Sequence, residues 1–233
     1  PGRFFLKKKW MELMMAVLLL AGIFGLSREG ARLVSQQKEE GLTVVLDAGH
    51  GGTDPGKIGV NGEKEKELNL EITMLLKEKL EKQGIQVVLT RDSDGGLYDE
   101  QSNNKKVQDL QRRCELIHKT SPRCAVSIHQ NSYTTPEVKG AQVFYYTNSA
   151  EGKKLAEGLQ TALVEGVDPE NHREAKGNTS YYLLKKTDVP LAIVECGFLS
   201  NPEEAGLLAT KEYQEKVAEA VCTGILKYLE KSD

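Results

Sequence analysis

From Leu42 onward the chain alternates short apolar stretches of strand-like character with longer stretches whose apolar residues recur at helical spacing. That alternation commits it to an α/β protein, in which a central sheet is covered by helices. Thr43-Val44-Val45-Leu46 reads as a fully apolar strand that ends at Asp47 and runs into the glycine-rich loop Ala48-Gly49-His50-Gly51-Gly52. Leu68, Ile72, Leu75, Leu76 and Leu80 then mark a helix that Gly84 closes ahead of the strand Ile85–Leu89. A helix around 107–119, a strand at 125–128, a β segment at 140–146 and a helix at 155–164 follow. Val189–Val194 is the last apolar strand, and Tyr213, Val217, Val221, Leu226 and Leu229 line a C-terminal helix. The expected domain is a single mostly parallel or mixed sheet with helices on both faces, spanning residues 42–233.

The N-terminus stands apart from this pattern. Arg3, Lys7, Lys8 and Lys9 precede an apolar run from Trp10 to Leu26 that only Glu12 interrupts, which is the character of an export signal or membrane anchor. The small residues after Ala21 form no A-x-A cleavage site, so residues 1–27 are read as a basic cytoplasmic flank and an uncleaved transmembrane helix. Residues 28–41 are charged, lack an apolar period and read as a tether. Everything beyond would lie outside the cytoplasm. With 31 basic against 34 acidic residues the balance excludes a protein built to neutralise nucleic acid. Cys114, Cys124, Cys196 and Cys222 lack C-x-x-C spacing and are read as free, packed thiols.

Chemistry enters where the strands end, because loops beyond the carboxyl ends of strands are where open α/β sheets collect ligands. His50 follows the first strand, His129 follows Ser127-Ile128, and Glu195 follows Ile193-Val194. A lone histidine at such a place is most often a satisfied loop residue, whereas two histidines and a carboxylate at equivalent positions point to a site. Two imidazoles and a carboxylate oxygen form the donor set of hydrolytic zinc, with a fourth position for water. A further carboxylate nearby could move that water's proton to a leaving amine.

Four blocks of the sequence carry a resemblance. Leu46-Asp47-Ala48-Gly49-His50-Gly51-Gly52, Glu65-Lys66-Glu67-Leu68-Asn69-Leu70, Ser127-Ile128-His129-Gln130-Asn131 and Val194-Glu195-Cys196-Gly197-Phe198-Leu199-Ser200-Asn201 are similar, in order and spacing, to those of the zinc-dependent N-acetylmuramoyl-L-alanine amidases of the amidase-3 family. The resemblance implies zinc held by His50, Glu65 and His129, with Glu195 as the catalytic carboxylate, and peptidoglycan as substrate. Glu63, Glu65, Glu67 and Glu71 crowd one helix start, and only the Glu-Lys-Glu-Leu-Asn-Leu phrasing singles out Glu65; Glu67 is read as structural. The single N-terminal segment, the absence of wall-binding repeats, the phrase Gly140–Tyr146 and the tail Lys211–Ala218 resemble the spore-cortex and germination amidases of the CwlD type. That implies removal of stem peptides ahead of muramic-δ-lactam formation, in an extracytoplasmic setting such as the forespore intermembrane space, and it keeps an activating lipoprotein among the candidate partners.

The remaining polar residues carry weaker expectations. Arg91 and Arg113 match arginines of the family and are candidates for substrate binding, with a structural ion pair as the competing reading. Asn131 is a candidate to orient substrate or to brace the His129 loop. His118 is taken as a surface or cap residue, His172 as part of a solvated loop, and Cys196 as packing, since no base is reserved for it. Another zinc hydrolase of the wall, such as a carboxypeptidase or sugar deacetylase, could use the same groups. A catalytically inactive wall-binding module is the non-enzymatic alternative, and its signature would be a missing ligand or a missing fourth-block glutamate; the chain has them all.

Overall fold

The computed structural model describes residues 42–231, together with residues 14 and 15. The expected membrane anchor and tether therefore lie outside the described residues, Met14 and Met15 aside. Among the described residues no helix is long and apolar enough to cross a membrane.

The chain forms β1 (Thr43–Ala48), α1 (Glu65–Lys82), β2 (Gln86–Leu89), α2 (Lys105–Thr120), β3 (Cys124–Asn131), β4 (Gln142–Tyr146), α3 (Ala150–Gly166), β5 (Lys176–Asn178), α4 (Tyr182–Lys186), β6 (Leu191–Phe198), α5 (Pro202–Leu208) and α6 (Lys211–Glu230). The six strands make one sheet in the order β2-β1-β3-β6-β4-β5. β2, β1, β3 and β6 run parallel, β4 runs antiparallel to β6, and β5 pairs parallel with β4. The sheet is thus mixed. Strands buried on both faces need apolar residues at successive positions, which is why β1 and β6 read as nearly continuous apolar runs.

Alternation along each strand sorts the side chains into two cores. On one face Val44, Leu46, Val126, Ile128, Ala192 and Val194 pack with Leu68, Ile72, Leu76 and Leu80 of α1, Leu155, Leu159 and Leu163 of α3, and Val217, Val221 and Ile225 of α6. On the other, Val45, Ala125, Phe144 and Ile193 pack with Cys114 and Ile117 of α2 and Leu183 and Leu184 of α4. Side-chain oxygens cap four helices: Asn104, Ser149, Asn201 and Thr210 each accept a backbone N–H of the first turn. Gly84 follows α1 with φ at 77°, the left-handed turn that stops a helix most cheaply at glycine. All four cysteines are buried and free.

Two details of register place the chemistry. His129 of β3 lies opposite Glu195 of β6, and Asn131 lies opposite Phe198. Gln130 of β3 therefore faces both Cys196 and Gly197 of β6, a bulge immediately beyond Glu195, which is a common device for re-aiming side chains beside a site.

Candidate metal centre

β1 ends at Ala48 and the chain turns sharply at Gly49-His50. His50 adopts φ of 62°, a left-handed conformation uncommon outside glycine. Such strain costs about 1–3 kcal/mol and persists only where the surroundings impose it. Here Arg113 imposes it, donating from Nη2 to the His50 carbonyl at 2.6 Å and from Nη1 to the Ala48 carbonyl at 2.8 Å. The His50 Nδ1 lies 2.9 Å from Asp54 Oδ2. A proton on Nδ1, donated to that carboxylate, leaves Nε2 as the free donor atom facing the cleft.

Glu65 is the first residue of α1, where the helix dipole favours a negative charge. Burial separates it from its acidic neighbours: Glu65 is 2% exposed, while Glu67 and Glu71 are exposed and Glu63 is half-buried. Glu67 instead pairs with Lys64 at 2.9 Å, and Glu71 accepts a hydrogen bond from Gln214. Glu65 Oε1 sits 3.2 Å from His50 Nε2 and 3.0 Å from His129 Nδ1, and it accepts the Gln130 N–H at 3.1 Å. Oε2 accepts the Lys57 N–H at 2.8 Å. One turn along α1 the fully buried Asn69 donates to the Gly49 carbonyl at 3.1 Å and to Glu65 Oε1 at 3.4 Å. Gln130 Nε2 closes the frame by donating to Asn69 Oδ1 at 3.1 Å. Burial alone would push the Glu65 carboxyl up, but with the metal absent the His129 and His50 imidazoles beside it hold it well below the ordinary range.

His129 projects from β3 so that its ring stands 5.0 Å from that of His50 at an interplanar angle of 77°. Gly49 is required beside it, since a Cβ there would lie 2.3 Å from the His129 Nε2 and Cε1 atoms. One donor atom each from His50, Glu65 and His129 lies within 4.8 Å of the other two. Two neutral imidazole nitrogens and one carboxylate oxygen, with an outer carboxylate orienting one ring, fit a zinc ion.

Glu195 lines the same cleft, of about 500 Å³, with His50, Glu65, His129 and Asn131. It is 8% exposed, and among the described residues its Oε2 has no hydrogen-bond partner. Burial raises its pKa to about 7, with His129 and His50 opposing the rise and the Glu65 charge adding to it. A carboxyl group poised near neutrality can both take and give a proton.

Two of the expected substrate contacts are placed differently. Arg91 and Arg113 are buried at 6% and 1% exposure, and neither lines this cleft. Arg91 donates to the carbonyls of Ala48, Ser93, Gly49 and Lys66, and Arg113 to Asp47, Asp109 and the carbonyls already named. Their hydrogen bonds brace the loop that carries His50, the structural role that was the competing reading for both. Asn131 does reach the cleft wall, with its Oδ1 accepting the Ser132 N–H at 2.8 Å. His118 and His172 are exposed, and Cys196 is fully buried with its thiol pushed up by that burial to a value that keeps it protonated.

Asp54 and the Asn69–Gln130 pair went unremarked in the sequence, although a carboxylate four residues after His50 in a glycine-rich loop is a legible signal for a ring-orienting group. Replacing Asp54 with asparagine is expected to weaken zinc binding about 10- to 100-fold, because the carboxylate no longer fixes the His50 tautomer. Competition against a chromophoric chelator measures it, and an unchanged affinity would leave Asp54 as a loop residue only.

Comparison with known proteins agrees with this geometry. The family described as N-acetylmuramoyl-L-alanine amidase matches residues 44–227. A germination-specific N-acetylmuramoyl-L-alanine amidase of Bacillus subtilis is 35% identical over 97% of this chain and 98% of that protein. Among solved structures, the CwlD amidase of Clostridioides difficile, in complex with the GerS lipoprotein, superposes with a TM-score of 0.79 at 41% identity, covering 82% of this chain and 99% of that one. The N-acetylmuramoyl-L-alanine amidase AmiC2 of Nostoc punctiforme gives 0.71 at 37% identity, covering 81% and 97%.

Proposed function

Since the chain belongs to the N-acetylmuramoyl-L-alanine amidase family, we propose that it hydrolyses the amide bond between N-acetylmuramic acid and L-alanine in peptidoglycan, using zinc held by His50, Glu65 and His129. The observation that carries this reading is the convergence of those three donor atoms in one cleft with a buried, unpartnered Glu195 carboxyl. Zinc bound there would supply Lewis acidity, acidifying water and polarising the scissile carbonyl. Glu195 takes a proton from the attacking water at its carboxylate and hands it to the departing L-alanine nitrogen. Asp54 and Arg113 keep His50 in place, Asn69 and the Gln130 N–H keep Glu65 in place, and Asn131 positions the substrate. The products are bare glycan and free peptide.

The biological setting we propose is removal of stem peptides from spore-cortex peptidoglycan, on the path to muramic-δ-lactam. The likeness to a germination-specific amidase supports it. Residues 1–27 serve as anchor and 28–41 as tether, with the catalytic domain, 42–233, outside the cytoplasm; the basic flank and apolar run support that arrangement. A lipoprotein partner is supported by the complex formed by the Clostridioides difficile relative.

Digestion of purified sacculi by the zinc-loaded protein, followed by mass spectrometry, tests the activity. Peptides released with a free L-alanine amino end are the expected product. Release of acetate or of terminal D-alanine instead would assign the site to a deacetylase or a carboxypeptidase.

A further inference from the structure

The cleft is electrostatically lopsided. Its carboxylates are committed: Asp54 to His50, Glu65 to both imidazoles, and Glu195 to a buried position with no outward contact. Two lysines line the same cleft from different elements, Lys57 from the loop before α1 and Lys106 from the first turn of α2. Among the described residues the Lys57 ammonium has no ion-pair partner. Lys106 is 69% exposed in its side chain, and the nearest carboxylate oxygen, Asp54 Oδ2, is 3.7 Å away and already bonded to His50.

The position of Lys106 is also locally unfavourable. α2 opens Lys105-Lys106 with no acidic residue in its first turn, whereas α1, α3 and α6 each open with at least one glutamate. The helix dipole disfavours cations at that end. Lys105 is compensated by Glu100 at 2.6 Å and by the Tyr98 ring at 5.1 Å, whereas Lys106 has only the longer 3.7 Å contact with Asp54, which it shares with His50. A side chain that violates a local rule and is only weakly compensated, in the lining of a cleft, is where a functional demand is to be sought. The lining also includes Leu110, Tyr181, Tyr182, Leu183 and Ile193, so apart from a metal held by His50, Glu65 and His129, Lys57 and Lys106 are the cationic side chains among the residues that line the cleft.

Resting on the amidase reading above, we propose that Lys106, with Lys57 of the same cleft lining, binds a free carboxylate on the peptide side of the scissile bond. The enzyme is thereby selective for acidic stem peptides. In a peptide joined through the γ-carboxyl of its second residue, the α-carboxylate of that residue is the anion nearest the cleaved amide. An exposed lysine–carboxylate contact with partial desolvation gives about a five- to tenfold difference in binding.

The test compares two disaccharide-peptide substrates that differ only in whether that second-residue α-carboxylate is free or amidated. Wild-type enzyme should show a KM about five- to tenfold lower on the free acid, and 0.5 M salt should shrink the preference. Lys106→Gln should raise KM on the acid most of the way to the level of the amide, leave kcat and the amide's KM within twofold, and keep zinc content unchanged; adding Lys57→Gln should remove what remains of the preference without changing the amide's KM. Equal KM values for the two substrates in the wild type, an equal loss on both in Lys106→Gln, or a loss of zinc in that variant overturns the assignment while leaving the amidase reading intact. Failure of the wild type to cleave either substrate overturns both.

Discussion

Glu195→Gln is expected to lower kcat by about 10²- to 10⁴-fold with zinc content and fold retained, because the amide keeps the shape of the carboxyl group but cannot carry the proton. Steady-state kinetics on defined muropeptides, with metal analysis on the same preparation, reads both halves of the expectation. A variant that turned over normally would remove Glu195 from the chemistry. Stability gives the same substitution a second, opposite signature. Burial raises the Glu195 pKa from 4.5 to about 7 in the metal-free protein, so the folded state binds a proton there that the unfolded chain has released. That group therefore costs stability progressively as pH climbs from about 4.5 to about 7, and the cost stays in place above. Glutamine escapes it, so the metal-free variant should be more stable than the parent at pH 8, by up to about 3 kcal/mol, and no more stable at pH 4. Urea denaturation at the two pH values measures the difference. An inactive and sturdier variant is the outcome expected of a site where function is bought with strain.

Arg113→Met should be the most damaging single change to the fold. Arg113 and Asp47 form an ion pair at 2.6 Å with both side chains 2% exposed, and Asp47 is further held by the hydroxyls of Thr90 and Ser127. Removing one partner leaves a buried, uncompensated charge, which costs about 3–5 kcal/mol. Asp47→Asn in the same chain should recover part of that loss, because it removes the orphaned charge; a double variant as unstable as the single would mean the damage comes from packing instead. Burial alone would push the Asp47 carboxyl up, but the Arg113 guanidinium and the two hydroxyls hold it down at about 2. A carboxyl group depressed in this way adds stability that is complete above about pH 4 and is lost as pH falls through about 2. The parent should therefore lose stability over that acid window, and Arg113→Met should show a weaker dependence there. Because Arg113 also pins the His50 carbonyl, zinc affinity should fall with it.

Much of this was legible in the sequence wherever a position has one dominant physical demand. The apolar runs of β1, β3 and β6 announce themselves because both faces of those strands are covered, and the groups that end them, Asp47, His129 and Glu195, stand out by contrast. The free state of the four cysteines followed from their spacing. Short elements were missed: β5, α4 and α5 have three, five and seven residues, too few for a period to emerge. The antiparallel course of β4 was not readable, since alternation reports which side chains are buried and not the direction of the neighbour. Arg91 and Arg113 were ambiguous for a related reason. A long guanidinium at a strand end or on a helix can reach outward to substrate or back into the scaffold, and only the carbonyls waiting behind the loop decide which.

The pairing of His129 with Glu195 across two hydrogen-bonded strands has a consequence for how such a molecule can diversify. The ladder acts as a ruler between the two side chains, set by backbone spacing and owing nothing to the loops around them. The segments that carry Lys57, Lys106 and Tyr181 can then be lengthened, recharged or exchanged while His129 and Glu195 keep their separation. Grafts confined to those rims are the natural route to redirected specificity.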